Sequence, residues 1–289
     1  MKWLIYGHKG WIGSQVCALL ECESVNVLFK SELRLDNTVA VSIELSTVKP
    51  DRVLCLTGRT HGLGFSTIDY LEQPGKLAEN VRDNLYSPIS LALLCKDQHL
   101  HLTYLGTGCI FTQGPESIQE SDGYTEESLP DFTGSGYSTV KGFTDRLMHL
   151  CDLNTLNVRI RMPIVGYDHS RNFITKIKNY EKVINVQNSM SVLPELLPIM
   201  LDLAKNKKTG TINLTNPGTI SHNEILSLYA KYVDKSFTWD NFTLEEQDKI
   251  LASQRSNNKL NTDVLETLYP SIKNIKSSIE GLFKKWENV

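Results

Sequence analysis

Lys2-Trp3-Leu4-Ile5-Tyr6-Gly7-His8-Lys9-Gly10-Trp11-Ile12-Gly13 decides the fold. Lys2–Tyr6 reads as a buried strand, a short apolar run closed by a glycine. Trp11–Glu21 reads as a helix, because Ile12, Val16, Leu19 and Leu20 fall on one face. Between them lies GxxGxxG. Gly7 permits the tight turn, Gly10 lets backbone approach a pyrophosphate, and Gly13 allows close helix–strand packing. The helix N-terminus favours the anion. The turn therefore predicts dinucleotide binding, with Gly7, Gly10, Trp11, Ile12 and Gly13 around the cofactor.

Outward from this turn, apolar runs and helical patterns alternate. Val25–Phe29 is predicted as the second strand and Arg52–Leu56 as the third, after a helical stretch ending near Lys49-Pro50. A long helical region follows from about Leu71 to Lys96, then strands at His99–Leu105 and Leu156–Arg161. This alternation predicts an α/β doubly wound parallel sheet, with ligands outside the carboxyl ends of its strands. The second half is richer in Asn, Pro and Ser. It offers shorter strands (Lys182–Val186, Thr211–Leu214) and helices near Arg171–Asn179, Pro194–Asn206, His222–Val233 and Ile275–Lys285. We place the functional boundary near Arg161–Val165. This gives a dinucleotide-binding domain over 1–165 and a smaller α/β region over 166–289, part of it packing back on the first.

The 289 residues are 40% hydrophobic and 22% charged, enough for a sizeable core and unlike a disordered or fibrous chain. Thirty basic residues face 33 acidic ones, for a net charge of −3, so nothing points to nucleic acid or an anionic membrane. No apolar run approaches the roughly 20 residues of a spanning helix, and Met1–Tyr6 is too short for a signal peptide. Six scattered cysteines without a CxxC pair suit a reduced, cytoplasmic protein rather than a zinc site or a disulfide framework. The seven histidines form no HxxxH or HExxH pattern, so no metal is expected.

The end of the second strand separates NAD from NADP. An acidic residue there would take the ribose hydroxyls. Instead Lys30, with Arg34 shortly after, suits a 2′-phosphate, although Glu32 pulls the other way. NADP is the expectation. Further on, Tyr137-Ser138-Thr139-Val140-Lys141 is YxxxK, and residues four apart share a helix face. A phenol titrating near 10 needs help to transfer protons near neutrality, and a lysine ammonium gives it. Thr107, at the carboxyl end of the fourth strand, supplies the third hydroxyl-bearing position of a Thr/Tyr/Lys set.

Longer strings carry more specific information. They include Thr107-Gly108-Cys109-Ile110-Phe111, Phe132-Thr133-Gly134-Ser135, Arg159-Ile160-Arg161-Met162-Pro163-Ile164 and Arg171-Asn172-Phe173-Ile174. Further along come Thr215-Asn216-Pro217-Gly218, Ser221-His222-Asn223-Glu224 and Arg255-Ser256-Asn257-Asn258. With the glycine turn, this combination resembles the extended short-chain dehydrogenase/reductases, with their Rossmann-type sheet. It is most similar to the nucleotide-sugar reductases of the dTDP-4-dehydrorhamnose reductase type. Within these, it resembles the bifunctional 3,5-epimerase/4-reductases that make UDP-L-rhamnose from UDP-4-keto-6-deoxyglucose. The resemblance spans nearly the whole chain.

It implies NADP(H) as cofactor and a UDP-sugar as substrate. Tyr137 would protonate the 4-keto oxygen, assisted by Lys141 and Thr107, while Cys109 and Lys176 would serve the epimerase step. That chemistry is sound, because a ketone at C4 acidifies the protons on C3 and C5. Thr107, Gly108, Cys109, Asn172, Phe173 and Arg255 would touch the nucleotide sugar, the arginine near its pyrophosphate. Thr57, Gly58 and Pro163 would join the cofactor contacts. A homodimer through the Tyr137 helix and a separate upstream 4,6-dehydratase are also implied. The dehydratases themselves carry Asp-Glu after the threonine, where this chain has Gly108-Cys109. Two departures stand out. Cys55-Leu56-Thr57-Gly58 replaces the family's Asn-Ala-Ala-Gly, and the loop from Arg59 to Phe65 differs in length. Two other readings stay open at this point: a 4-keto-rhamnose reductase without epimerase activity, and a non-catalytic NADP-binding regulatory subunit.

Overall fold

The glycine turn joins β1 (Lys2–Tyr6) to α1 (Trp11–Glu21), as the sequence predicts. In this computed structural model, which describes residues 1–113, 117, 121–151 and 153–286, β1 lies between two parallel neighbours. These are β2 (Val27–Ser31) and β3 (Arg52–Cys55). β4 (Leu102–Thr107) pairs parallel with β3. With β5 (Thr155–Ile160) and β6 (Gly210–Asn213), the described residues form a sheet in the order β2-β1-β3-β4-β5-β6. The order reverses about β1, so the crevice expected of such sheets opens at the carboxyl ends of β1 and β3.

Trp3, Leu4, Ile5 and Tyr6 are all at most 1% exposed, because the inner strands are covered on both faces. α1 buries Val16 and Leu20, and α2 (Thr38–Val48) buries Val41 and Leu45. The latter pair join Leu4, Val53, Leu91 and Tyr104 in one apolar cluster.

Three expectations need correction. The second strand starts at Val27, not Val25. Asn26 is held in the preceding turn, accepting from Trp3 Nε1 (3.1 Å) and donating to Leu20 O (3.1 Å). The fourth strand starts at Leu102, because His99 adopts a left-handed backbone (φ 56°) that ends the previous helix. The long helix expected from Leu71 is broken. Pro74-Gly75, the glycine at φ 79°, delays its start to Leu77, and a π-helical turn over Arg82–Tyr86 precedes α3 (Ser87–Asp97). Inside that turn the buried Asn84 side chain accepts from Arg59 N (2.8 Å) and donates to Arg59 O (2.8 Å) and Asn80 Oδ1 (2.9 Å). The remaining ends lie within a few residues of expectation.

By compactness the chain divides into two units, differently from a cut at residue 165. The first is Met1–Thr107, Gly136–Arg159 and Leu197–Ile212; the second is Gly108–Ser135, Ile160–Leu196 and Asn213–Val289. The first unit reclaims Leu197–Ile212 because β6 extends its sheet, and backbone carbonyls of that segment hold buried side chains. Arg52 Nε donates to Ala204 O (2.5 Å), and His101 Nε2 pairs with Lys208 O (2.7 Å). α4 (Gly136–His149) packs on β4 within this unit. The second unit has its own core of Ile164, Ile174, Ile177, Val192, Ile225 and Phe283. Its helices α5 (Phe173–Lys178), α6 (His222–Tyr232) and α7 (Ile275–Phe283) start at side-chain caps, Asn172, Ser221 and Asn274 respectively.

Candidate active site

At the crevice of the first unit, Gly7 has φ 88° and approaches the end of β3 so closely that a Cβ would lie 2.8 Å from the Leu56 carbonyl carbon. A Cβ on Gly13 would lie 2.1 Å from Gly7 O, so helix and turn meet as the glycine pattern requires. Gly10 N donates to Gly7 O (3.0 Å). α1 has no side-chain cap and no acidic residue in its first turn, which leaves its N-terminal partial charge to an incoming anion.

A cavity of about 260 Å³ opens beside this turn. Of the expected residues, Gly7, Arg34, Thr57 and Gly58 line it. Gly10, Trp11, Ile12 and Gly13 build the turn itself rather than that wall. Lys30 is not on it either. It lies within β2 and donates to Glu21 (2.6 Å) on α1. Arg34 forks onto Asp36 (3.1 Å twice) and reaches Asp83 (3.2 Å). Glu32, the residue that argued against NADP, is occupied by Lys9 at 2.5 Å. Arg59, Lys9 and Asp83 are cavity residues that the sequence reading missed. Their charges alternate along the wall, with no spacing pattern to reveal them.

The threonine, tyrosine and lysine all belong to the first unit. Thr107 ends β4, and Tyr137 and Lys141 lie one turn apart on α4, each less than a tenth exposed. Two unpredicted residues position them. The Glu72 carboxylate accepts from Gly136 N (2.9 Å) and Tyr137 N (3.1 Å), supplying partners for the first turn of α4 and a negative charge at its positive end. Lys141 Nζ donates to the Tyr104 hydroxyl and stands 4.7 Å from that ring's centroid. Burial pushes the Tyr104 hydroxyl well above the ordinary phenol value, so it stays neutral beside the ammonium. Thr144 Oγ1 donates to Asn84 O (2.6 Å), fastening α4 to the π turn. A buried strand tyrosine reads as core, and a glutamate far upstream gives no local signal.

The remaining residues lie in the second unit. Cys109 is half-buried, and its neighbour Gly108 donates to Ile160 O (3.0 Å). Lys176 lies on α5. Burial first, then the charges of Arg171 and Arg255, hold its ammonium below the ordinary lysine value. A lysine so placed gives up its proton more readily and can work in either direction of a transfer. The Arg255 Nη1 donates to Ser253 O (3.2 Å) and Oγ (3.0 Å). Asn172 is fully buried. Its Oδ1 accepts from Ile174 N and Val165 N, and its Nδ2 donates to Val165 O and Tyr167 O, so its side chain builds the loop. Phe173 meets His222 edge-on, with centroids 5.2 Å apart. Burial lowers His222 to about 4, which keeps this ring neutral at pH 7. Pro163 follows Met162, whose φ is 39°, and begins a short strand beside Ser191–Val192.

Known proteins extend the resemblance. Residues 3–177 match the NAD dependent epimerase/dehydratase family. Protein L780 of Acanthamoeba polyphaga mimivirus is 52% identical over 285 residues, 99% of this chain and 98% of its own. The crystal structure of the L780 UDP-rhamnose synthase aligns with a TM-score of 0.96 over 99% of both chains. The bifunctional dTDP-4-dehydrorhamnose 3,5-epimerase/dTDP-4-dehydrorhamnose reductase of Arabidopsis thaliana is 41% identical over 280 residues, 96% of this chain and 91% of its own. A dTDP-4-dehydrorhamnose reductase of Clostridium acetobutylicum shares the fold, with a TM-score of 0.79 at 17% identity over 99% of both chains. The chain therefore belongs to the NAD dependent epimerase/dehydratase family, in its extended short-chain dehydrogenase/reductase form.

Proposed function

We propose that the chain is an NADPH-dependent 3,5-epimerase/4-reductase that converts UDP-4-keto-6-deoxy-D-glucose to UDP-β-L-rhamnose. The observation that carries this reading is near-full-length similarity, at 52% identity, to the L780 UDP-rhamnose synthase. The presence of Thr107, Tyr137 and Lys141 weighs against a silent regulatory subunit, and Cys109 with Lys176 weighs against a simple reductase.

The first unit fits a dinucleotide phosphate. Its glycine turn has no room for side chains at Gly7 or Gly13, its helix end is uncapped, and Arg34, held by Asp36 and Asp83, lies on the cavity wall. When bound, NADPH supplies the hydride. Tyr137 gives its proton to the 4-keto oxygen, and Lys141 favours the phenolate left behind. Thr107 donates to the same oxygen and so also steadies an enolate formed before reduction. Cys109 and Lys176 exchange protons at the carbons flanking the ketone, and Arg255 takes the pyrophosphate. In functional terms, residues 1–165 hold the cofactor and 166–289 the nucleotide sugar, with Gly108 and Cys109 reaching the sugar from the earlier segment.

Incubation with UDP-4-keto-6-deoxyglucose in deuterated water, read by NMR, tests the proposal. Deuterium is expected at C3 and C5 without cofactor turnover, and rhamnose once NADPH is added. Cys109→Ala and Lys176→Met should each slow deuterium entry by on the order of 10²–10⁴-fold. NADPH oxidation without exchange would leave a plain reductase. A 4,6-dehydratase must make the keto sugar, and we propose that a separate protein does so.

We further propose a homodimer through α4. Phe143 (63% exposed) and Leu150 (71%) leave apolar surface along and just beyond this helix, with Leu93 (48%) on α3. Light scattering at micromolar concentration should give twice the chain mass, and a single-chain mass would refute this. Among the described residues no helix is long and apolar enough to cross a membrane.

A further inference from the structure

The register of the sheet sets Glu32 against the glycine turn. β1 and β2 pair in parallel with Tyr6 opposite Ser31, so the next residues, Gly7 and Glu32, leave the sheet together at the cofactor cavity. His8, Lys9 and Glu32 all line that cavity. Lys9 Nζ lies 2.5 Å from one oxygen of the Glu32 carboxylate, and His8 Nε2 lies 3.4 Å from the other. A carboxylate just past the second strand of such a sheet is placed for the ribose hydroxyls, and a cation there suits a 2′-phosphate. This chain carries both, and they hold one another.

The arginines of the wall are less free to move. Arg34 donates to both oxygens of Asp36 and to Asp83. Arg59 Nε is shared between Glu79 (3.1 Å) and Asp83 (3.2 Å). Arg82 reaches Asp83 (2.8 Å) and Asp36 (3.6 Å) in turn, so these carboxylates join the three arginines in one network. Withdrawing Arg34 or Arg59 toward a ligand disturbs all of it. Lys9 and Glu32 stand outside this network, with side chains 72% and 66% exposed. An exposed pair of two long side chains is worth little and opens readily.

We propose that Glu32 and Lys9 are a specificity-determining pair that sets how strongly this chain prefers NADPH over NADH. Lys9 turns to the 2′-phosphate of NADPH and leaves the carboxylate beside His8. Toward NADH, Glu32 accepts from the ribose 2′-hydroxyl while Lys9 balances its charge. Glu32 opposes the phosphate twice, by like charge and by holding the cation. It therefore lowers the preference that Lys9 would otherwise confer. The carboxylate is charged throughout the neutral range, because the bond from Lys9 holds it below the ordinary glutamate value. The proposal rests on the cofactor reading of the first unit and is independent of the epimerase reading.

The test is titration of NADPH and of NADH into the whole chain, read by the fluorescence of the reduced nicotinamide at one fixed salt concentration, since salt screens exposed charges. Glu32→Gln should bind NADPH about tenfold more tightly, and NADH no more tightly than the native chain does. Lys9→Gln should weaken NADPH by about tenfold and change NADH by less than about threefold. Both side chains are exposed, so the thermal midpoint should hold in each variant. A pair that merely fastens the turn to β2 would move both cofactors alike. Native binding of NADPH with the same NADPH-to-NADH ratio in both variants overturns the proposal and leaves the cofactor reading standing. A native chain that binds neither cofactor overturns both.

Discussion

Tyr137→Phe is expected to lower 4-keto reduction by on the order of 10²–10⁴-fold, the usual worth of a positioned general acid. Only an oxygen is lost. The Glu72 carboxylate holds backbone N–H groups of Gly136 and Tyr137, so the helix start survives the change. Lys141 keeps its bond to Tyr104. NADPH affinity, read by the fluorescence of bound cofactor, should therefore stay within about tenfold, a difference of about 1.4 kcal/mol. The loss belongs in kcat. A rise in KM with kcat intact would make Tyr137 a binding group and remove it from the proton transfer.

Asp145→Asn should cost about 3–5 kcal/mol of folding stability, because it strands the buried Arg159 without its charge partner. Asp145 accepts from Arg159 Nε (2.8 Å) and Nη2 (2.7 Å) and from Asn157 Nδ2 (2.8 Å), and the Arg159 side chain is 0% exposed. Burial pushes the carboxyl up, but the bonds from Arg159 and His149 outweigh it and hold the group at about 2, below its ordinary 3.8. A depressed carboxyl stabilises the fold fully above the unfolded value and loses that contribution as pH falls through the folded one. The gap in stability between the native chain and the variant should thus be constant above about pH 4 and narrow toward pH 2. Thermal unfolding at several pH values measures it, and a gap that does not change with pH would show the carboxylate's charge to be irrelevant. The variant should lose activity at lower temperatures too, because the pair joins α4, which carries Tyr137, to β5.

The sheet was legible because its signals are local. A glycine turn seven residues into the chain, apolar runs and helical spacing all act over a few positions. The errors arose where distant partners decide. Lys30 was read as a 2′-phosphate ligand just past the second strand, but the two-residue shift of β2 puts it inside the strand, paired with Glu21. Glu72, Tyr104 and Asn84 shape the surroundings of Tyr137 and Lys141 through contacts 37 to 65 residues apart in sequence, and nothing beside them announces it. Cys109 and Lys176 came from family resemblance alone, since a cysteine in a turn and a lysine on a short helix carry no pattern.

β6 enters the sheet from a segment that follows much of the second unit in sequence. All six residues of β5 are buried in the finished molecule. As the chain leaves the ribosome, β5 emerges well before residues 210–213, and its outer edge stays unpaired through that interval. An open edge of this kind invites pairing with another chain. The first 165 residues, released alone, would keep that edge for good. The first unit is therefore not a detachable stretch of 165 residues: its last strand comes from a segment that follows much of the second unit in sequence, so the order of folding joins them.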